Sequence, residues 1–279
     1  MLEGPRIEMH SRRPAPALRG LVDGYTDYLL ERVPAGIHRG LPSRHLTMVI
    51  PLDAPLQMAA MPDPDQPVGS FDVVVSGLHR QPAQIRMTGR SAGVQLTLTP
   101  AGCRALLGLP AGELGSWVGS LVDVLGPRAV RLRDRLVAAA TPRQRFAVLD
   151  EELLGLLGLF PLRRDVVRPE VGWAWRRLVR GVGAIAVGEL AAEVGWSRRH
   201  LAEQFRREYG LAPKAAARVL RFERSAGLLA SRPAPRLGDV AAICGYADQA
   251  HLARDWRELA GCAPSRWLAE EAAYRDTVS

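Results

Sequence analysis

A chain of 279 residues with 47% hydrophobic and 24% charged positions is long enough for two domains and has the balance of a globular protein, which argues against wholesale disorder. No run of about 18 apolar residues offers a membrane span, and the polar, proline-bearing start Met1–Pro16 lacks the apolar stretch of a signal peptide, so a cytoplasmic location with no membrane partner is expected. The net charge is +8 and Lys214 is the only lysine; residues 163–279 hold 20 basic against 14 acidic side chains, so the positive excess, nearly all arginine, lies in the C-terminal part and favours a polyanionic partner.

Along the first half, short apolar runs alternate with Pro and Gly clusters. Leu46–Leu52, Phe71–Val75 and Val94–Leu98 read as strands, with Leu56–Ala60 and Ala83–Met87 as further ones and turns at Pro62–Pro67 and Gly89–Ser91. They predict a mostly antiparallel sheet, closed as a small β-barrel or layered as a sandwich. Thr99 followed by Pro100 predicts a capped helix through Leu107, and Phe146, Leu149, Leu153 and Leu156 set a helical period over Pro142–Leu157. That second helix has one apolar side, to be laid on the sheet or against its copy in a dimer. The expected fold class is α+β: a sensory, effector-binding or dimerisation domain over 1–162, a linker over 163–169, an all-α domain over 170–272 and a tail over 273–279.

The all-α part repeats itself. Leu190-Ala191-Ala192-Glu193-Val194-Gly195-Trp196 returns fifty residues on as Val240-Ala241-Ala242-Ile243-Cys244-Gly245-Tyr246, and the correspondence continues at an offset of fifty-one with His200-Leu201 against His251-Leu252, Phe205 against Trp256, Gly210 against Gly261 and Pro213 against Pro264. Each copy reads as a helix-turn-helix. A short helix anchored by Leu190 and Val194, or by Val240 and Ile243, ends at Gly195 or Gly245, where a tight turn favours the left-handed backbone. The aromatic Trp196 or Tyr246 wedges between helices. Ser197 or Asp248 then caps a second helix whose buried side is Leu201 with Phe205, or Leu252 with Trp256. A helix of about 17 residues, Pro213–Ala230, joins the units; at 1.5 Å per residue its ~25 Å suits two recognition helices about one DNA turn apart.

The second helix of such a unit enters the major groove. Its outward residues are Ser197, Arg198, Arg199, Ala202, Glu203 and Arg206 in the first unit, and Asp248, Gln249, Ala250, Ala253, Arg254 and Arg257 in the second. Arg199 and Arg254 suit guanine, Gln249 adenine, Glu203 the cytosine amino group, and the small Ala202 and Ala253 permit close approach or a thymine-methyl contact. Arg206, Arg207, Arg221 and Arg257 are placed to clamp phosphates.

These residues resemble the AraC/XylS family of transcription regulators over roughly Arg176–Trp267, above all in Val240-Ala241 with Gly245-Tyr246-Ala247-Asp248-Gln249, Leu252, Arg254, Trp256-Arg257, Gly261 and Pro264. The resemblance implies a sequence-specific reader of double-stranded promoter DNA with an attached domain for effector binding or dimerisation; RNA polymerase, a small-molecule effector and a second copy of the chain are the further candidate partners. The chain departs from the family's usual phenylalanines at Leu252 and Trp256 and from its aromatic at Ala216 or Ala217, keeping those positions apolar. His38-Arg39-Gly40-Leu41-Pro42-Ser43-Arg44-His45-Leu46 is similar to a segment of the barrel-type sensory domains found in such regulators.

No enzyme signature stands in the chain, and no cofactor is expected. His38, His45 and His79 lack the spacing of a metal site and read as ordinary polar histidines, while Asp150, Glu151 and Glu152 read as a solvated helix face. The alternative, a DNA alkylation-response or adaptor protein using the same reader, needs an activated thiolate; Cys103, Cys244 and Cys262 have no clustered partners and are expected to be buried thiols.

Overall fold

The computed structural model describes residues 4–157, 159, 167–231 and 233–275; most of the expected linker, and the end of the tail, lie outside them. Ten strands make up the sheet part: β1 (Arg6–Arg12), β2 (Val22–Glu31), β3 (Gly36–Gly40), β4 (Leu46–Pro51), β5 (Leu56–Ala60), β6 (Ser70–Phe71), β7 (Val74–Ser76), β8 (Ala83–Met87), β9 (Arg90–Leu98) and β10 (Val118–Ser120). They form a six-stranded sheet in the order β1-β2-β9-β4-β7-β10 and a four-stranded sheet in the order β3-β8-β5-β6, every pair antiparallel. Among the described residues no pairing closes these sheets into a ring, so of the two expected arrangements the sandwich is the one adopted.

Side-chain alternation positions the two sheets. On β4, Met48 and Ile50 face a helical layer while Val49 packs with Met58, Met61 and Val74 on the opposite side. The run Phe71–Val75, expected as one strand, is divided: Phe71 ends β6 in one sheet and Val74 starts β7 in the other. The expected turn at Gly89–Ser91 is shorter, because β9 already begins at Arg90 and only Gly89, at φ +96°, carries the reversal. Four strands escaped the sequence reading, among them the three-residue β10. β1 is an edge strand whose only buried side chain is Ile7, and β2 and β3 interleave Asp, Arg and Gly with their apolar residues.

Helices cover the other face of the six-stranded sheet. Thr99 caps α1 (Pro100–Gly102), its Oγ1 accepting from the Gly102 N–H at 3.0 Å, and the chain runs on as a π-helical turn over Cys103–Leu107. After α2 (Ala111–Leu114), α3 (Val122–Leu125) and α4 (Pro127–Ala138) comes α5 (Pro142–Leu157), with the expected boundaries and with Phe146, Leu149, Leu153 and Leu156 all buried. α5 lies on the sheet, where Phe146 stacks on Tyr25 with ring centroids 6.0 Å apart. Asp150 is not part of a solvated face: it accepts from the Ala15 N–H at 2.8 Å and from the Tyr25 hydroxyl at 3.1 Å, and pairs with Arg12. Glu151 and Glu152 both pair with Arg135 of α4.

The remaining elements are helical, as expected: α6 (Pro169–Arg180), α7 (Val187–Glu193), α8 (Arg198–Tyr209), α9 (Pro213–Ala230), α10 (Leu237–Ile243), α11 (Gln249–Ala260) and α12 (Pro264–Arg275). Their packing does not divide where a linker at 163–169 suggests. A single apolar core runs from the six-stranded sheet through α4, α5, Ala111 and Leu114 into Leu178, Leu190, Leu201, Phe205 and Leu220, so the first helix pair shares a core with the sheet domain. The second pair has a core of its own, built on Phe222, Val240, Leu252, Trp256 and Trp267. α9 belongs to both.

Candidate nucleic-acid interface

α7–α8 and α10–α11 are the two expected helix-turn-helix units, and their local chemistry matches. Gly195 and Gly245 sit at φ +71° and +73° between the helices, a conformation that costs glycine little and other residues more. Ser197 caps α8 by accepting from the His200 N–H at 3.2 Å, and Asp248 caps α11 by accepting from the His251 N–H at 2.7 Å. Both recognition helices end at left-handed glycines, Gly210 and Gly261. Leu201, Phe205, Leu252 and Trp256 are fully buried, and the Trp256 Nε1–H donates to Ser225 of α9 at 2.9 Å. One anchor differs from expectation: Ile243 is 46% exposed, and Cys244, the next residue, fills the core position instead.

The outward face is open at the start of each recognition helix. Ser197, Arg198, Arg199, Glu203, Asp248, Gln249, Ala250 and Arg254 are exposed, while Ala202 and Ala253 are half-buried. The first residue of each recognition helix folds back over a glycine of the preceding helix. A Cβ placed on Gly188 would lie 2.7 Å from the Arg198 guanidinium, and one on Gly238 would lie 2.9 Å from the Gln249 side-chain nitrogen. This equivalence was legible in the repeat, since Gly188-Glu189 and Gly238-Asp239 extend it two residues upstream of Leu190 and Val240.

The arginines assigned to phosphates occupy unlike places. Arg206 and Arg207 are exposed on the last turns of α8, next to the sheet domain. Arg221 is half-buried with its guanidinium 5.7 Å above the Tyr246 ring, a contact inside the second unit. Arg257 lines a cleft of about 840 Å³ between α11 and the segments around Asp63 and Pro82 of the sheet domain. Arg218 of α9 holds the same region together by binding the buried Asp255 at 2.8 Å.

Contacts between the sheet domain and the helical part fall at the end of α8 and on α9 and α12. Arg104, on the π-helical turn, reaches Glu208 of α8 with its Nε at 3.2 Å and with a second guanidinium nitrogen, and both side chains are largely buried. His45 lies 3.6 Å from Glu223 of α9 and 3.6 Å from Asp23, and burial lowers the imidazole pKa. Arg39 of β3 pairs with Glu270 of α12, and His38 Nδ1 lies 3.4 Å from Glu271. His79 is buried, hydrogen-bonded to the Gln81 carbonyl at 2.6 Å, and burial pushes its pKa down to about 4, so of His38, His45 and His79 the last two are largely buried rather than superficial.

Between the two sheets lies a cavity of about 570 Å³. Ile7, Leu30, Val49, Leu56, Ile85 and Met87 form its apolar wall, with Tyr28, His38, Ser91 and Gln95 as polar points and Ala230 and Glu271 of the reader at its mouth. Among the described residues there is no cluster of three or more His, Cys, Asp or Glu able to hold a metal ion and no helix long and apolar enough to cross a membrane. All three cysteines are buried, and burial raises each thiol pKa, that of Cys103 to about 12, so none is poised to accept an alkyl group.

A helix-turn-helix domain family matches residues 190–270. Over nearly its whole length the chain is similar in fold to ToxT from Vibrio cholerae. The apo form of a ToxT variant superposes with a TM-score of 0.54 at 11% identity, covering 96% of this chain and 97% of that one. Wild-type ToxT with an unsaturated fatty acid bound gives 0.53 at 10% identity, with the same coverage. No curated relative matches the sequence.

Proposed function

We propose that this chain, in which a helix-turn-helix domain family matches residues 190–270, is a sequence-specific transcription regulator of the AraC/XylS type whose sheet domain binds a small-molecule effector. The observation that carries the DNA half is the pairing of two capped helix-turn-helix units on one connecting helix, each with the N-terminal turn of its recognition helix exposed. Arg199 and Arg254 are the side chains we assign to base edges, with Arg198, Gln249, Ala202, Ala253 and Glu203 beside them. Arg206 and Arg207 then set affinity through phosphates, whereas Arg221 acts chiefly by supporting Tyr246.

The effector half rests on the cavity between the sheets, whose size falls within the ~300–1,000 Å³ of small-molecule sites and whose wall is carbon with a few polar points. ToxT, similar in fold, has been seen with an unsaturated fatty acid bound, which supports an apolar ligand here. Selection of genomic fragments by the full-length protein at fixed salt, followed by fluorescence titration, tests the DNA reading. A recurrent site spanning two adjacent major grooves and bound at least a thousandfold tighter than random DNA is the expected result. Weak binding with a steep salt dependence and no enriched sequence overturns it.

A further inference from the structure

The mouth of the sheet cavity carries an electrostatic preference. Among its described lining residues there is neither an arginine nor a lysine, and the one carboxylate, Glu271, has a side chain only 14% exposed. Its near neighbour is His38, whose Nδ1 lies 3.4 Å away. Arg39, the closest cation along β3, projects from the opposite face of the strand, as alternation requires, and is already bound to Glu270. An anionic head group therefore meets no arginine or lysine among the described lining residues, and meets a carboxylate instead. A cationic head group meets that carboxylate and the ring of Tyr28.

On these grounds we infer that the cavity takes an apolar molecule carrying one positive charge, a lipophilic amine, whose charge pairs with Glu271. The inference rests on the reading of the cavity as the effector site and adds the ligand class and its consequence. Glu271 belongs to α12, the last helix of the reader, so a bound amine joins two parts of the molecule: its body lies between the sheets and its charge holds α12 over the mouth. The second helix-turn-helix unit, which has its own core with Trp267 of α12 in it, feels this directly. The first unit, continuous with the core of the sheet domain, does not.

The test uses the full-length protein and three probes of equal chain length, decylamine, decanol and decanoate, each competing at pH 7 below its micellar concentration against the neutral dye N-phenyl-1-naphthylamine. Decylamine is expected to displace the dye at a concentration at least tenfold lower than decanol, and decanoate to be the weakest. Glu271→Gln, nearly isosteric, should bring the amine level with decanol while leaving decanol unchanged. Amide exchange should slow in α12 with decylamine and stay constant in α2 and α8. Decanoate binding tightest, or an amine advantage that survives Glu271→Gln, overturns the ligand class and leaves the cavity as an effector site. If none of the three displaces the dye, and the cavity-filling Ile85→Trp does not weaken dye binding, the effector reading falls and the amine with it.

Discussion

Gly112 of α2 lies against the backbone of Arg207 so closely that a Cβ on the glycine would stand 2.3 Å from the Arg207 carbonyl oxygen and 2.7 Å from that of Arg206. Both obstructing atoms are main chain, so no side chain can swing aside. Gly112→Ala is expected to lower stability by about 1–3 kcal/mol in urea denaturation and to speed amide exchange in α2 and the last turn of α8. An unchanged midpoint with unchanged exchange would mean that the sheet domain does not dock on α8 in solution.

The ion pair beside that contact gives a second prediction. Arg104→Met leaves the Glu208 carboxylate, 9% exposed, without its partner, at a cost of about 3–5 kcal/mol at neutral pH. Arg104→Met with Glu208→Met should recover most of the loss, because a matched apolar pair removes the uncompensated charge. A double-mutant cycle in urea reads both, and a double variant no better than the single would show that Glu208 is hydrated in solution.

Small changes at the glycines under the recognition helices should separate folding from reading. In Gly188→Ala the new methyl meets only the tip of the Arg198 side chain, which can move, and alanine is the better helix former, so stability should stay within about 1 kcal/mol of the parent. Base preference should shift where the start of α8 lies, and Gly238→Ala should shift it where Gln249 lies. Site selection with each variant checks this; identical enriched sequences would place Arg198 and Gln249 away from the bases.

Arg199→Ala and Arg254→Ala should each cost about 1–3 kcal/mol at the selected site and relax preference at one position. Arg207→Ala should weaken all sequences alike and reduce the salt slope by about 1. Equal loss on specific and random DNA for all three would refute the assignment of the face.

His79 predicts an acid limb in stability. Its pKa falls from an ordinary value near 6.5 to about 4 in the folded protein because burial disfavours the imidazolium, so the unfolded chain takes up the proton first. The contribution is complete above pH 6.5 and is lost as pH falls through the interval down to about 4, amounting to about 3 kcal/mol. The difference in stability between the parent and His79→Gln, followed from pH 7 to pH 4, should shrink by that amount; a constant difference would place His79 in contact with water.

Much of this architecture is legible in the chain because it is written locally. α5 follows from four apolar residues at helical spacing, β5 and β8 from short runs between turns, and both recognition helices from a capping residue and a terminal glycine. What stayed hidden depends on tertiary partners. β1 is polar because it is an edge, Asp150 looks solvated until Arg12, Ala15 and Tyr25 converge on it, and Ile243 looks like an anchor until Cys244 takes the core position. The exposed start of each recognition helix was identifiable by residue type and spacing, whereas the different surroundings of Arg206, Arg221 and Arg257 arise from neighbours far away in sequence.

The core shared by the sheet domain and the first helix-turn-helix unit bears on how the molecule can be taken apart. A cut near residue 165 looks natural from the sequence, yet it severs Tyr209 and Leu211 from the Ala111–Leu114 turn and leaves oily surface facing water on both pieces. The excised C-terminal half would tend to stick to itself, and its weak or erratic DNA binding would reflect that injury rather than its intrinsic grip. Dissection along the grain of the packing separates α10, α11 and α12 from everything before them, with α9 as the shared beam.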